Sequence, residues 1–176
     1  LFKRKNHRKN MPELDLVYEG KIKHGGIFDF KEVYLFLYDW FDSYGYLVGE
    51  KKYEEKVKPE GKDIEIEWTC LRKISDYFRF NIEVKFRILG LVTVEIERAG
   101  TKTQSNRGGF EIKFTAFLER DYEKKWERGP FSKFTRGIYD RYIIKKRIDE
   151  YKDRIAAEVD EVIARVKAHF ALEGTR

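Results

Sequence analysis

Few residues in this chain of 176 could perform acid–base, nucleophilic or metal chemistry. The histidines are His7, His24 and His169, and the one cysteine is Cys70. No two of them have the close spacing of zinc ligands, and the sequence contains no phosphate-binding loop, nucleophile elbow or dinucleotide fingerprint. Cys70 alternates in phase with Trp68, so we predict that it is a small buried core residue. The sequence therefore predicts no metal, no cofactor and no catalytic residue, and it favours a protein that is not an enzyme.

Two other patterns are typical of catalytic groups but have a structural explanation. His24 and the two glycines after it are similar in composition to an oxyanion loop, yet a turn between a strand and a helix also needs glycine, and we interpret them as such a turn. Six glutamates lie at outward positions of predicted strands, where Lys85, Arg87 and Lys113 are interleaved with them. This mixture indicates a solvated surface rather than an acid–base pair. The glutamates are Glu65, Glu67, Glu95, Glu97, Glu111 and Glu119.

The net charge of +6 is concentrated at the start of the chain. Residues 1–10 hold five basic residues and no acidic one, so the rest of the chain carries only +1. The charge therefore describes a tail and not a basic fold. We interpret residues 1–12 as a flexible basic tail and residues 13–173 as a single α+β domain.

A second basic region, residues 120–147, contains ten basic and four acidic residues with aromatic residues between them. Basic and aromatic side chains together suit a membrane surface, an acidic protein partner or a nucleic-acid backbone. Alternatively, the aromatic rings close the open end of a sheet while the charges are solvated. The candidate partner-binding residues are Lys124, Lys125, Trp126, Arg128, Phe131, Lys133, Phe134, Arg136, Tyr139 and Tyr142.

The elements that position these residues begin with a strand and a helix. Alternating apolar residues predict a strand from Leu14 to Ile22, followed by a break at residues 23–26. Asp29 is suited to cap the next helix, with Glu32 at the reciprocal position of a capping box. Gly45 suits the left-handed residue at the end of that helix.

Six strands are predicted next, within residues 47–57, 64–70, 78–88, 92–96, 101–104 and 110–118. Residues 78–88 alternate between apolar and polar without a break, which is the strongest strand pattern in the chain. If Ile88 pairs with Val92, a three-residue hairpin loop is centred on Gly90, and Lys85 lies opposite Glu95. Further turns are predicted at residues 98–101 and 106–109.

A long amphipathic helix is predicted from Ile144 to Phe170. Its apolar residues recur at spacings of three and four, so they form one stripe that the sheet has to cover. At 1.5 Å per residue the helix spans about 40 Å, enough to cross a sheet. The stripe comprises Ile144, Ile148, Tyr151, Ile155, Val159, Val162, Val166 and Phe170.

This order of elements, from Leu14 to Phe170, resembles the helix-grip architecture of START-like (SRPBCC) domains. The resemblance implies an α+β fold in which a curved antiparallel sheet of about six to seven strands packs on a C-terminal helix. Residues 74–78 and 139–142 also look like an uncharacterised family of small archaeal proteins, a resemblance that implies no function.

The resemblance and the lack of catalytic groups favour a binding module for an apolar or aromatic ligand held between sheet and C-terminal helix. The alternatives are a scaffold protein that docks through residues 120–147, and nucleic-acid binding through the tail and the same segment. No apolar run approaches the ~18–20 residues of a membrane span. One cysteine fits a reducing compartment, so a cytoplasmic location is expected. The candidate ligand-cavity residues are Trp68, Phe80, Phe86, Phe110, Phe114, Tyr151 and Ile155.

Overall fold

The computed structural model describes residues 13–98, 100–123 and 145–174. The predicted α+β class is confirmed, and the predicted tail lies outside the described residues. The elements in chain order are β1 (Glu13–Phe28), α1 (Phe30–Ser43), β2 (Leu47–Lys58), β3 (Gly61–Lys73), β4 (Phe78–Arg98), β5 (Thr101–Arg120) and α2 (Lys145–Gly174).

The five strands form one antiparallel sheet in the order β1-β5-β4-β3-β2. The prediction of six to seven strands is wrong because the breaks predicted at residues 89–91 and 106–109 lie inside β4 and β5. A third predicted break, at residues 23–26, lies inside β1, and the sheet is only partly curved. At the predicted hairpin loop, Leu89 pairs with Gly109 and Val92 pairs with Arg107, so the chain continues through a β-bulge. Gly90 has a φ of 61°, which glycine adopts without strain in a bulge as readily as in a turn.

The other two predicted breaks are also wrong, and they lie opposite each other. Gly25 of β1 pairs with Gly109 of β5, and Gly26 pairs with Gly108. Both strands therefore pass through their glycine pairs without turning. The predicted pairing of Lys85 is wrong as well, because this residue lies opposite Lys113 and residue 67. The turn predicted at residues 98–101 is confirmed as the hairpin between β4 and β5.

The predicted start and end of the first helix are confirmed. The side chain of Asp29 accepts a hydrogen bond from the backbone N–H of Glu32 at 2.9 Å. Gly45 follows the helix with a φ of 76°, the left-handed conformation expected there. Val33 and Phe41 are buried on the side that faces the sheet. Local sequence chemistry is therefore sufficient to define α1.

Both helices cover the same face of the sheet, and α2 packs mainly along β1 and β5. Helix and strand come so close at Gly20 that an added Cβ would lie 2.5 Å from Cδ1 of Ile163. The predicted apolar stripe of α2 is buried from Ile155 onward, whereas Ile148 and Tyr151 are partly buried. The predicted first residue of this helix, Ile144, lies outside the described residues.

Three tyrosine hydroxyl groups from other elements form hydrogen bonds with α2. Each donates a hydrogen bond to a carboxylate of the helix, and each tyrosine lies far from its partner in sequence. These bonds fix where α2 lies along the sheet, because a shift of one turn would break all three. The pairs are Tyr18 with Asp160 at 2.5 Å, Tyr44 with Glu161 at 2.6 Å and Tyr46 with Glu158 at 2.7 Å.

Candidate ligand-binding cleft

The predicted ligand-cavity residues pack against one another between the sheet and the helices. The rings of Trp68 and Phe86 are 4.8 Å apart, those of Phe86 and Phe110 are 6.4 Å apart, and those of Phe80 and Tyr151 are 6.3 Å apart. Tyr151 is partly buried and the others are buried, including Phe114 and Ile155. A ligand among these side chains would have to displace them.

The residues predicted to bind a partner all lie outside the described part of the chain. They belong to residues 124–144, and the described strand β5 and its following turn end at residue 123. The partner predictions therefore stay predictions. The residues concerned are Lys124, Lys125, Trp126, Arg128, Phe131, Lys133, Phe134, Arg136, Tyr139 and Tyr142.

An open cleft lies between β1 and the C-terminal part of α2. Its volume of about 340 Å³ is within the range of small-molecule sites. Three consecutive residues of β1 form one wall, and one turn of α2 forms the other. The lining residues are Ile22, Lys23, His24, Lys167, Phe170 and Ala171.

A pair of stacked rings forms the rigid part of this cleft. Strand alternation places Ile22 and His24 on the same face of β1, the face that α2 covers. The imidazole of His24 stacks on the ring of Phe170, with centroids 4.4 Å apart and planes inclined by 7°. Phe170 is 5% exposed and lies 5.1 Å from the ring of Phe110, so the core holds it in place.

Bare backbone follows His24 in β1. Among the described residues, no atom lies within 4 Å of a Cβ added at Gly25 or Gly26, so there is open space beside this part of the strand. Glycine inside a strand often marks a place where a ligand or another backbone approaches closely. In addition, β1 is at the edge of the sheet, so the backbone groups on its outer side have no partner strand among residues 13–98, 100–123 and 145–174.

Of the described residues that line this cleft, none is acidic. Lys23 follows Ile22 in the strand, so its side chain points to the opposite face of the sheet, where it lies 3.5 Å from Glu111, a carboxylate that also binds Lys21 at 2.6 Å. Lys167 is exposed and forms no ion pair with any residue that the structure describes. The imidazole of His24 forms no hydrogen bond within the described ranges, and its Nε2 atom is buried.

Two other clefts, of about 250 and 320 Å³, lie on the opposite face of the sheet. Both are lined by acidic and basic residues together, as expected for a mixed-charge surface. Lys85 pairs with Glu67 at 3.2 Å and Lys58 pairs with Asp63 at 2.6 Å, so much of this charge is compensated. The cleft beside α2 differs because none of its described lining residues is acidic.

Comparison with protein-family models, with curated proteins and with solved structures found no match to this chain. The resemblances to START-like domains and to small archaeal proteins therefore stay predictions. Within residues 13–98, 100–123 and 145–174, no three histidine, cysteine or acidic side chains are grouped so that they could hold a metal ion. No helix in these ranges is long and apolar enough to cross a membrane.

The prediction that Cys70 is a buried core residue is confirmed. Its side chain is 0% exposed, and burial raises the pKa of the thiol to about 12. Little of the reactive thiolate is therefore present at neutral pH. Cys70 contributes to packing and not to chemistry.

Sequence reasoning did not identify the cleft, because its walls come from opposite ends of the chain. The sequence predicts His24 as part of a turn, and that prediction separates it from the C-terminal helix. The available signal was the glycine pairs Gly25-Gly26 and Gly108-Gly109, each inside an alternating strand pattern. Glycine pairs also mark turns, so pattern alone does not distinguish the two.

Proposed function

We propose that the protein is a non-enzymatic binding module that holds a small ligand with an apolar body between β1 and the C-terminal part of α2. The single observation that carries this proposal is the open cleft beside the stacked rings of His24 and Phe170. The proposal keeps the ligand between sheet and C-terminal helix, as the sequence predicts. It moves the ligand from the aromatic interior to the edge of the sheet.

The chemistry of the walls favours a flat ligand. Ile22, Phe170 and Ala171 supply apolar surface, and the ring pair is held in place from below by Phe110. Aromatic rings pack well on such a wall in stacked or edge-on arrangements. A neutral two- or three-ring ligand of about 17 non-hydrogen atoms, at ~0.3 kcal/mol per atom, would bind with about 5 kcal/mol. This corresponds to a Kd on the order of 0.1 mM.

Fluorescence titration with the neutral probe N-phenyl-1-naphthylamine tests this proposal. The test variant Ala171→Leu adds apolar volume to the lining of the cleft. The control variant Ala164→Leu makes the same change on an exposed residue two turns earlier on the same side of α2. We expect saturable binding to the wild type and to Ala164→Leu, and binding at least fivefold weaker to Ala171→Leu.

The proposal fails if the wild type does not bind the probe. It also fails if both variants bind the probe as the wild type does, because the site would then lie elsewhere. Circular dichroism and urea unfolding of the three proteins establish that they are equally folded.

Two alternative functions stay proposals: docking through residues 120–147, and nucleic-acid binding through the tail and this segment. The cytoplasmic location is also a proposal. Nucleic-acid binding requires an affinity that falls steeply with salt concentration. Docking on a membrane or protein requires that Trp126→Ala with Phe131→Ala weakens liposome co-sedimentation or partner capture. No contact among the described residues favours either alternative over the cleft.

A further inference from the structure

We infer that two copies of this chain associate through β2, whose outer edge pairs antiparallel with the same edge of the second copy. The two strands meet at Tyr53, which lies opposite its own copy across a twofold axis. This edge is on the other side of the sheet from the cleft between β1 and α2, so the inference does not depend on a ligand.

The edge of β2 is open to a second strand. β2 is the last strand in the order β1-β5-β4-β3-β2, so its outer backbone groups have no partner strand in the part of the chain that the structure describes. Such an edge is a template for pairing with another chain. Helix α2 packs mainly along β1 and β5, on the other side of the sheet.

The same strand carries apolar side chains that are exposed to water. Tyr53 is 52% exposed and Val57 is 77% exposed. Their pairing with Ile66 and Lys62 of β3 places both on the face of the sheet that carries the helices. A second strand beside β2 would shield part of this apolar surface from water.

The charges of β2 on the two sides of Tyr53 are opposite in sign. Lys51 and Lys52 precede the tyrosine, and Glu54 and Glu55 follow it. In antiparallel pairing centred on Tyr53, Lys52 of each copy lies opposite Glu54 of the other, and Lys51 lies towards Glu55. Opposite charges directly across two strands stabilise the pairing, and like charges destabilise it.

No other centre in the regular part of β2 has this property. The strand is regular from Lys52 onward, because its β-bulge lies just before that residue. A centre at residue 52, 54, 55, 56 or 58 places a lysine or a glutamate opposite its own copy. A centre at Val57 places Lys56 opposite Lys58. The charges of the strand therefore select one register.

The charged side chains at this centre lie on one face. Lys52 pairs with Glu67 and Glu54 pairs with Glu65 of β3, so both point away from the helices. Nζ of Lys52 lies 3.2 Å from its own Glu54 and 2.9 Å from Glu65. In the dimer, Lys52 and Glu54 of the two copies form a ring of alternating sign around the twofold axis. Each charge therefore gains a neighbour of opposite sign.

The contact between the two copies is small. It consists mainly of one strand from each, and interfaces below about 1,200 Å² of total buried surface belong to weak or transient complexes. We therefore expect a dimer in the micromolar range that dissociates on dilution.

Exchange of the charges tests this inference by analytical ultracentrifugation of the full chain. Lys52→Glu places glutamates opposite each other in its own dimer, and Glu54→Lys places lysines opposite each other. An equal mixture of the two variants restores opposite charges at both pairs. The controls Lys146→Glu and Glu150→Lys make the same changes at exposed residues of α2.

We expect the wild type and both controls to sediment as monomer and dimer in equilibrium. Each test variant alone should self-associate at least tenfold more weakly, whereas the mixture should associate as tightly as the wild type. Circular dichroism and urea unfolding establish that all five proteins are equally folded.

A cysteine at the centre of the contact tests the register. Tyr53→Cys brings two thiols within reach of a disulfide, because directly opposite Cβ atoms are about 4.5–5.5 Å apart. Val57→Cys is the control on the same face of β2, far along the paired strands from its own copy. The native Cys70 is buried. With oxidised glutathione, Tyr53→Cys should form a covalent dimer much faster than Val57→Cys.

Three results would overturn the inference. The wild type stays monomeric up to high micromolar concentration, the mixture associates no better than its two components, or Tyr53→Cys and Val57→Cys cross-link equally fast. None of these substitutions lies in the cleft, so these results leave the proposed ligand site unaffected.

Discussion

Arg72 and Glu158 form an ion pair between the sheet and α2. Nη2 of Arg72 lies 2.6 and 2.7 Å from the two carboxylate oxygens of Glu158, and the side chains are only 11% and 10% exposed. Nη1 of Arg72 donates to the backbone carbonyl of Tyr44 at 2.7 Å. The hydroxyl group of Tyr46 donates to Glu158, and its ring lies under the guanidinium group at 4.4 Å. Two elements that lie far apart in sequence are thus held together by one charged cluster.

Glu158→Gln should lower the free energy of unfolding by about 3–5 kcal/mol, because it leaves the charge of Arg72 buried without a partner. Urea unfolding followed by circular dichroism measures this change. Glu161→Gln, on the more exposed side of the same helix turn, is the control and should cause a much smaller loss. The double variant Arg72→Met with Glu158→Leu should be more stable than Glu158→Gln, since it buries no unpaired charge. A double variant less stable than Glu158→Gln would contradict this account.

The fold should lose stability at alkaline pH. Burial, together with the hydrogen bond to Glu158, raises the pKa of Tyr46, and the hydrogen bond to Asp160 raises that of Tyr18. A raised pKa in the folded state means that the neutral tyrosine is the stabilising form. This contribution is fully present below the ordinary pKa of 10.0 and is lost as the pH rises above that value.

Urea unfolding at intervals between pH 8 and pH 12 tests this dependence. The free energy of unfolding of the wild type should fall above about pH 10, and Tyr46→Phe should show a shallower fall because it lacks the most strongly shifted group. Equal slopes in the two proteins would show that Tyr46 is not the group responsible.

Gly20 should tolerate no larger side chain, because α2 crosses β1 at this position. An added Cβ would lie 2.5 Å from Cδ1 of Ile163 and 2.8 Å from Cε1 of Tyr18. Gly20→Val should therefore cost about 1–3 kcal/mol through overpacking. Gly25→Val is the control in the same strand, where an added Cβ meets no atom of the described residues within 4 Å, and it should cause no loss.

A second substitution makes the Gly20 prediction specific. Ile163→Val removes the Cδ1 methyl group that the new side chain would meet, so it should restore part of the stability lost in Gly20→Val. Thermal unfolding of the single and double variants measures this. Additive losses would indicate that the crowding at Gly20 has another source.

Cys70 should not react with a thiol reagent while the protein is folded. With a pKa of about 12, only about one thiol in ten thousand is ionised at pH 8, and the side chain is 0% exposed. Ellman's reagent should therefore modify one thiol per chain only in denaturing urea. Rapid modification of the folded protein would show that the interior opens near β3.

Sequence reasoning predicted the parts of the fold that depend on neighbouring residues. Asp29 and Gly45 define α1 through contacts within a few positions, and alternation identified the buried faces of β3, β4 and β5. It failed at the start of β1 and in β2, where the predicted inward residues Leu16 and Val57 are exposed. Gly90 was assigned to a turn because a bulge and a turn have the same local composition. Their difference lies in the pairing partner across the sheet, which a single sequence does not contain.

The candidate site could not be predicted from the sequence for a related reason. His24 and Phe170 have no spacing rule that connects them, and neither do Arg72 and Glu158. Their proximity is a consequence of where α2 lies on the sheet, and tyrosine–carboxylate bonds such as Tyr18 with Asp160 help to fix that position. Such a cleft can be recognised only when the relative position of β1 and α2 is known.

The most direct test of the central proposal is to locate a bound probe by NMR. Intermolecular nuclear Overhauser effects between N-phenyl-1-naphthylamine and isotope-labelled protein report which protons touch the rings. We predict contacts to the rings of His24 and Phe170 and to the methyl groups of Ile22 and Ala171. Contacts confined to other parts of the chain, or saturable binding without any contact to these four residues, would contradict a ligand site between β1 and α2.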